Sequence, residues 1–173
     1  ISSHHNYVDA PVSGGVKGAS DASLTFMVGC SSTETFSTIQ PLLHRMGKRM
    51  IPCGGSGSGS AVKLCNNAAL AAQMVSNSLS ISFTIRWLIS ACTVNSSSVI
   101  LYSQVGICEA MNLGNALGVD PTVLAGVMNV STAKCWSSEI NNPHPAVAKA
   151  LGSGASANGY EGGFATALML KDL

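Results

Sequence analysis

Short apolar runs separated by glycine- and proline-containing turns fill the first third of the chain. Residues 7–8 predict a short strand, and residues 23–30 alternate large apolar side chains with smaller or polar ones, which predicts a second strand. Between Thr33, the predicted N-cap, and Gly47, apolar residues recur at helical spacing. Residues 48–53 predict a third strand. The order strand, strand, helix, strand is typical of the closing portion of an α/β domain.

From residue 60 onward the hydrophobic pattern becomes that of helices. Residues 60–75 are apolar around most of the helix circumference, which predicts a buried helix, and residues 107–118 continue the pattern until a glycine ends it. Asp120 followed by Pro121 predicts the start of another helix. Beyond an irregular stretch, residues 159–173 return to a helical pattern after the glycine pair at 162–163.

Residues 76–104 interrupt the helical pattern. Large apolar side chains alternate there with Ser, Thr, Arg and Leu, which predicts a strand: Ile81, Phe83, Ile85, Trp87 and Ile89. A membrane-spanning helix needs ~20 mainly apolar residues, and Arg86 together with the serines at 96–98 breaks the stretch before that length. We therefore expect an exposed, aggregation-prone strand that cannot extend the preceding helix.

Composition narrows the partners that the chain can have. Charged residues make up 10% of the sequence, against about 25% in a typical soluble domain, so we expect another domain or subunit to cover part of the surface. A net charge of +1 and few aromatic residues argue against nucleic acid and against a membrane surface as partners. The six cysteines form no CxxC pair, which favours free thiols in a reducing compartment and predicts no metal site.

Lys63 is the first residue whose setting suggests chemistry. It lies near the predicted start of a helix, where the helix dipole disfavours a cation, and no acidic residue lies three or four positions away. If it is also desolvated, its pKa falls toward the range in which an amine exchanges protons. The competing interpretation is a lysine that points into water. Asn67 lies four residues on, hence on the same helix face, and offers a donor and an acceptor to one bound molecule.

The glycine-rich run before Lys63 does not fit a phosphate-binding motif. Residues 55–60 match GxGxx, but Ser60 stands where the third glycine belongs and no acidic residue follows ~20 positions later, as the dinucleotide fingerprint requires. No GK[ST] follows either. We expect these glycines to let the backbone approach a ligand in front of the helix.

Ser13, Gly14 and Gly15 form the other candidate site. They follow a predicted strand, and bare backbone N–H groups beside a hydroxyl suit a carboxylate. An ordinary tight turn is the alternative interpretation of the same three residues.

Several motifs occur together in the order and spacing of a known family. They are DAPVSGG at 9–15, KCWSS at 134–138, NPHP at 142–145, GGFATALMLKDL at 162–173, and the pattern GxxGxGxxxKxxxN on Gly54, Gly57, Gly59, Lys63 and Asn67. With these motifs the chain resembles the 3-hydroxyisobutyrate dehydrogenases of the β-hydroxyacid dehydrogenase family. The resemblance covers the chain except for residues 76–104.

The resemblance implies a fold and a domain organisation. Residues 1–58 would be the C-terminal part of an α/β, NAD-binding Rossmann domain. Residues 59–173 would begin an all-α domain like that of 6-phosphogluconate dehydrogenase, with an atypical insertion at 76–104. Members of the family form dimers or tetramers, which implies a homo-oligomer joined through the helical domain, and they usually work in mitochondria.

The resemblance also implies an activity and roles for residues. The enzyme would oxidise 3-hydroxyisobutyrate, a small hydroxy acid, with NAD during valine breakdown, and NADP stays open. Lys63 would be the catalytic lysine, Ser13, Gly14 and Gly15 would hold the substrate carboxylate, and Asn67 would orient the substrate. Lys171 would close over the cofactor.

Two departures from the family pattern lead to further expectations. The family's dinucleotide fingerprint lies upstream of Ile1, so we expect a fragment that by itself binds NAD poorly or not at all and is inactive. Joining Val75 to Val105 restores one continuous helix, and Val75-Ser76 and Gln104 can be encoded by GTAAGT and CAG, the sequences of a splice donor and acceptor. We hypothesise that residues 76–104 are a translated intron.

Two alternatives to this function stay open at the level of sequence. One is another β-hydroxyacid dehydrogenase or semialdehyde reductase that uses the same lysine. The other is a catalytically dead chain that acts only through oligomer contacts of its helical half.

Overall fold

The computed structural model describes residues 6–87, 96–152 and 154–161. The first part of the chain is an α/β unit. Its elements are β1 (Val12–Ser13), α1 (Gly15–Ser20), β2 (Leu24–Gly29), α2 (Thr33–Leu43) and β3 (Gly47–Gly54). The strands form one sheet in the order β1-β2-β3, with β1 antiparallel to β2 and β2 parallel to β3 across α2.

The central strand β2 is buried on both faces. Phe26 and Val28 pack with Leu43 of α2 on one face, whereas Met27 points to the other face and enters the core of the helical part of the chain. This division follows from the alternation of side chains along a strand. One strand therefore contributes to both cores.

Four details at the start of the chain differ from the sequence prediction. The first strand is Val12–Ser13, and only an isolated bridge between Asp9 and Gly29 precedes it. The N-cap of α2 is Ser32 rather than Thr33, because the Ser32 hydroxyl accepts a hydrogen bond from the backbone N–H of Thr35 at 3.1 Å. Helix α2 ends before Gly47, which begins β3, and the short helix α1 was not predicted.

The rest of the described chain is mainly helical, which confirms the helices predicted at residues 60–75 and from 107 onward. It consists of α3 (Ser58–Trp87), α4 (Ser96–Ala116), α5 (Pro121–Asn129), α6 (Trp136–Glu139), α7 (Pro145–Leu151) and a 3₁₀ turn at Ala155–Asn158. The predicted start of α5 is confirmed: Asp120 is the N-cap and its carboxylate accepts the backbone N–H groups of Thr122 and Val123. Residues 162–173, predicted to be helical, lie outside the described residues.

The strand predicted within residues 76–104 is wrong over residues 81–87, because α3 continues through Trp87. The expectation that this block cannot extend the preceding helix is wrong for the same residues. A strand needs a neighbour for its backbone N–H and C=O groups, whereas a helix satisfies them internally. Residues 81–87 are therefore helical although their apolar side chains alternate as in a strand. Ile89, the last residue of that pattern, lies outside the described residues.

Helices α3 and α4 pack against each other in antiparallel directions. A Cβ built on Gly106 would lie 2.7 Å from the Cβ of Ala72, and one built on Gly114 would lie 3.7 Å from the Sγ of Cys65. Residue numbers thus increase along α4 in the direction in which they decrease along α3, so the two helices form an antiparallel hairpin. Glycine at these two positions lets the backbones of the two helices come close together.

Replacing Gly106 with alanine is expected to lower the free energy of unfolding by ~1–3 kcal/mol, because the new methyl group overlaps Ala72 across the hairpin. Urea unfolding followed by circular dichroism measures it. In one continuous helix joining residues 75 and 105, Gly106 would be an interior helix residue and the same change would stabilise by about 0.5–1 kcal/mol.

Gly126→Ala on α5 is the matched control for Gly106→Ala, since a Cβ at Gly126 meets nothing within 4 Å. It should stabilise the chain slightly through helix propensity alone. If Gly106→Ala stabilises as much as Gly126→Ala, the two helices do not form this hairpin.

Candidate functional site

Lys63 lies near the start of α3 and is half-buried, whereas Val62 and Cys65 of the same helical turn are fully buried. Burial lowers the pKa of its ammonium group. Among the described residues the ion pairs are Lys17–Asp21 and Lys134–Glu139, so no described carboxylate neutralises Lys63. An amine in this setting loses its proton more readily than a solvated lysine does.

Ser13, Gly14 and Gly15 lie where β1 turns into α1. Ser13 is buried, whereas both glycines are exposed and have positive φ angles of 141° and 62°. A Cβ on Gly14 would come within 3.0 Å of the Leu24 side chain, and Gly15 faces open space. The turn therefore requires glycine and leaves its backbone accessible.

The structure brings Lys63 and Asn67 onto one face of α3, with Asn67 exposed. No hydrogen bond or ion pair between described residues joins either of them to the Ser13–Gly15 turn. Ser13 pairs with Thr25 near the amino end of β2, while α3 starts against its carboxyl end. Lys171, the other predicted site residue, lies outside the described residues.

Asp9 is a residue of this region that the sequence analysis missed. It is 6% exposed, and its carboxylate accepts the backbone N–H of Gly57 at 2.6 Å and that of Ser60 at 2.7 Å. It thereby caps α3 from a segment about fifty positions away. Burial, and then the negative charge of Asp9, raise the pKa of the Cys53 thiol to about 12. An aspartate inside the otherwise apolar run YVDAPV was the available signal.

One glycine of the run before α3, Gly59, serves packing against β2. A Cβ on Gly59 would overlap the carbonyl oxygen of Met27 and lie 2.9 Å from the Asp9 carboxylate. The glycine thus lets α3 touch the backbone of β2. Because Asp9 occupies the first N–H groups of α3, this helix end does not fit a pyrophosphate.

Thiols and metal ligands add little to the site. The five described cysteines are free, and burial raises the pKa of Cys65 and of Cys108, as it does for Cys53. The described residues contain no group of three or more His, Cys, Asp or Glu side chains able to hold a metal ion. Within the same ranges, no helix has the length and apolarity to cross a membrane.

Two surface clefts lie away from Lys63. One, of about 520 Å³, lies between α2, β3 and α5 and is lined by His44, Lys48 and Arg49 among others. The other, of about 200 Å³, lies between α4 and α7 and includes His144 and Tyr160. Concavity alone therefore does not identify the predicted site, which rests on the chemistry of Lys63.

Comparison with family models matches both parts of the chain. Residues 2–55 match the NAD binding domain of 6-phosphogluconate dehydrogenase, and residues 94–173 match the family described as NAD-binding of NADP-dependent 3-hydroxyisobutyrate dehydrogenase. Residues 56–93, which include Lys63, lie between the two matches.

Curated relatives agree with these families. The chain is 42% identical over 167 residues, 96% of its length, to the mitochondrial 3-hydroxyisobutyrate dehydrogenases of Bos taurus and Homo sapiens. It is 40% identical to a probable mitochondrial 3-hydroxyisobutyrate dehydrogenase of Arabidopsis thaliana over 96% of its length. The chain spans 40% of the bovine and human proteins and 38% of the plant protein.

A solved structure is also similar in sequence. It is the Mycobacterium tuberculosis 3-hydroxyisobutyrate dehydrogenase with L-serine, which is 35% identical in sequence. The match covers 95% of this chain and 45% of the mycobacterial chain. The TM-score is 0.38.

Proposed function

The chain belongs to the 3-hydroxyisobutyrate dehydrogenase family, and from this premise we propose that the protein oxidises 3-hydroxyisobutyrate to methylmalonate semialdehyde with NAD. The sequence identity of 42% to the bovine relative over 96% of the chain supports the substrate class. The matches to NAD-binding families support the cofactor. The reaction would belong to valine breakdown.

The half-buried amine of Lys63 is the observation that carries this proposal. In the oxidation, the substrate hydroxyl loses its proton to the neutral Nζ of Lys63 while a carbonyl forms at the same carbon. Bound NAD would supply the acceptor for the hydride that this carbon loses. A lysine whose pKa is lowered by burial is neutral more often at working pH, which suits a general base.

The other predicted residues would bind the substrate. Ser13, Gly14 and Gly15 would hold the carboxylate, since their exposed glycine backbone offers N–H groups without side chains in the way. Asn67, one helical turn after Lys63, would orient the hydroxy acid. Lys171 would contact the cofactor.

The cellular setting and the assembly are part of the same proposal. The curated relatives are named as mitochondrial, so we place this protein in mitochondria too. Leu64 and Val75 expose 56% and 59% of their surface on one face of α3, although both are large and apolar. Such a face favours a homo-oligomer joined through the helical part, and it is also what a catalytically dead chain would use.

A chimera tests the proposed activity. Residues 1–173 replace the matching segment of the bovine 3-hydroxyisobutyrate dehydrogenase, once complete and once with residues 76–104 deleted. We expect the deleted form to reduce NAD in the presence of 3-hydroxyisobutyrate, because it carries every predicted catalytic group in an uninterrupted frame. The complete form should be less active if the block is a translated intron.

The comparison within the chimera series separates the alternatives. A higher kcat/KM for a different β-hydroxyacid than for 3-hydroxyisobutyrate would favour the other dehydrogenases of the family. A deleted chimera that is folded and oligomeric but inactive on every hydroxy acid, beside an active bovine parent, would contradict the proposed activity.

A further inference from the structure

We propose that Asp9 is a positioning residue that sets the place of Lys63 relative to the Ser13–Gly15 turn. The proposal rests on the proposed function, in which Lys63 moves the proton. Asp9 itself touches no reacting atom in this scheme. It acts by holding the first turn of the helix that carries the lysine.

The contacts of Asp9 are those of a clamp between β2 and α3. Its backbone N–H donates to the Gly29 carbonyl at 3.1 Å, and its own carbonyl accepts the Gly29 N–H at 2.8 Å. Its carboxylate accepts two N–H groups of the α3 start, from Gly57 and Ser60. A buried carboxylate with both oxygens satisfied at a helix amino end is held in one place.

Lys63 follows this clamp directly along α3. It lies three residues beyond Ser60, a rise of ~4.5 Å along the helix axis. Gly59, between the two bonded N–H groups, contacts the backbone of β2 and leaves no gap into which the helix could slide. Asp9 therefore fixes the start of α3 next to Lys63, in addition to the packing of the buried Val62 and Cys65 of the same helix.

The same segment that carries Asp9 also carries the predicted carboxylate turn. Asp9 and Ser13 lie four residues apart, and both are paired to β2, through Gly29 and Thr25. One short extended segment thus holds the proton-accepting helix at one end and the carboxylate-binding turn at the other. Because reacting atoms must meet within a few tenths of an ångström, a shift at Asp9 would cost rate rather than substrate affinity.

The test measures kcat and KM for Asp9→Asn in the deleted chimera. Asparagine keeps the size but offers one acceptor oxygen instead of two, so one N–H of the α3 start loses its partner. We expect kcat to fall about tenfold or more while KM for the hydroxy acid stays within about threefold. Asp120→Asn is the control at another helix-capping carboxylate, since a single oxygen of Asp120 accepts both backbone N–H groups at the start of α5 and an asparagine oxygen can keep both bonds.

A second measurement, on the unsubstituted chain of 173 residues, needs no variant to fold. Amide hydrogen exchange should be at least tenfold slower at Gly57 and Ser60 than at Ser56, whose N–H has no such bond in the clamp. Equal exchange at the three amides would overturn the clamp. An unchanged kcat in Asp9→Asn, or an equal loss in Asp120→Asn, would overturn the positioning role. Activity retained in Lys63→Ala would instead overturn the proposed function.

Discussion

Replacing Lys63 with alanine in the deleted chimera is expected to lower kcat for 3-hydroxyisobutyrate oxidation by ~10²–10⁴-fold, the usual loss when a general base is removed. The substrate hydroxyl then has no neutral amine to take its proton. KM should change far less, because the predicted carboxylate contacts lie on the Ser13–Gly15 turn. Initial rates of NADH formation at saturating NAD measure both constants.

The pH dependence gives the same prediction a second readout. Burial lowers the pKa of Lys63, so the neutral, proton-accepting form appears as pH rises, and it appears below the usual lysine range. We therefore expect kcat/KM for oxidation to rise with pH, with the rise at a pH below the usual pKa range of lysine. This pH-dependent rise, the pH limb, should be absent in Lys63→Ala.

Lys149→Ala is the control for this substitution, since Lys149 is an exposed lysine on α7. It should leave kcat and the pH limb unchanged. Retention of both in Lys63→Ala would remove the proton-transfer role from this lysine.

The elements with local signals were predictable from sequence. The alternation of Leu24, Phe26 and Val28 with smaller or polar residues correctly placed β2, since a period of two along the sequence is the local signal of a strand. The pair Asp120-Pro121 correctly marked the start of α5, because both the capping carboxylate and the proline act within one turn. Neighbouring residues alone determine such features.

The features that failed depend on distant partners. Asp9 caps α3 across 48 and 51 positions of sequence, and no local rule connects a residue before β1 to a helix start so far away. The alternation within residues 81–87 predicted a strand because period alone does not show which partner the segment finds. Helix α3 instead runs on through Trp87.

The candidate site also has one part with a local sequence signal and one part that depends on distant residues. The i, i+4 spacing of Lys63 and Asn67 placed both on one helix face, and the missing acidic neighbour pointed to an unneutralised amine. The relation of that face to the Ser13–Gly15 turn depends on how α3 sits on β2. That arrangement depends on Asp9 and on the two glycines where α3 meets β2, whose close backbone contacts are visible only in three dimensions.

Replacing Gly59 with alanine should lower the free energy of unfolding by roughly 3 kcal/mol or more, the sum of overpacking and weakened bonds to a buried carboxylate. The added Cβ would overlap the Met27 carbonyl oxygen and lie 3.0 Å from the Gly29 nitrogen. Both are backbone atoms of a central strand, so neither can move aside cheaply. The helix must therefore lift from β2 and pull against Asp9. Urea unfolding of the chain measures the loss.

Gly55→Ala provides the comparison inside the same glycine run, because a Cβ at Gly55 meets nothing within 4 Å and its φ is not in the left-handed region. It should change stability by less than about 0.5 kcal/mol. If Gly59→Ala is tolerated equally well, α3 does not touch β2 at this point, and the run is a flexible connection. A lifted helix would also carry Lys63 away from its place, so Gly59→Ala should lose kcat together with stability, whereas Gly55→Ala should lose neither.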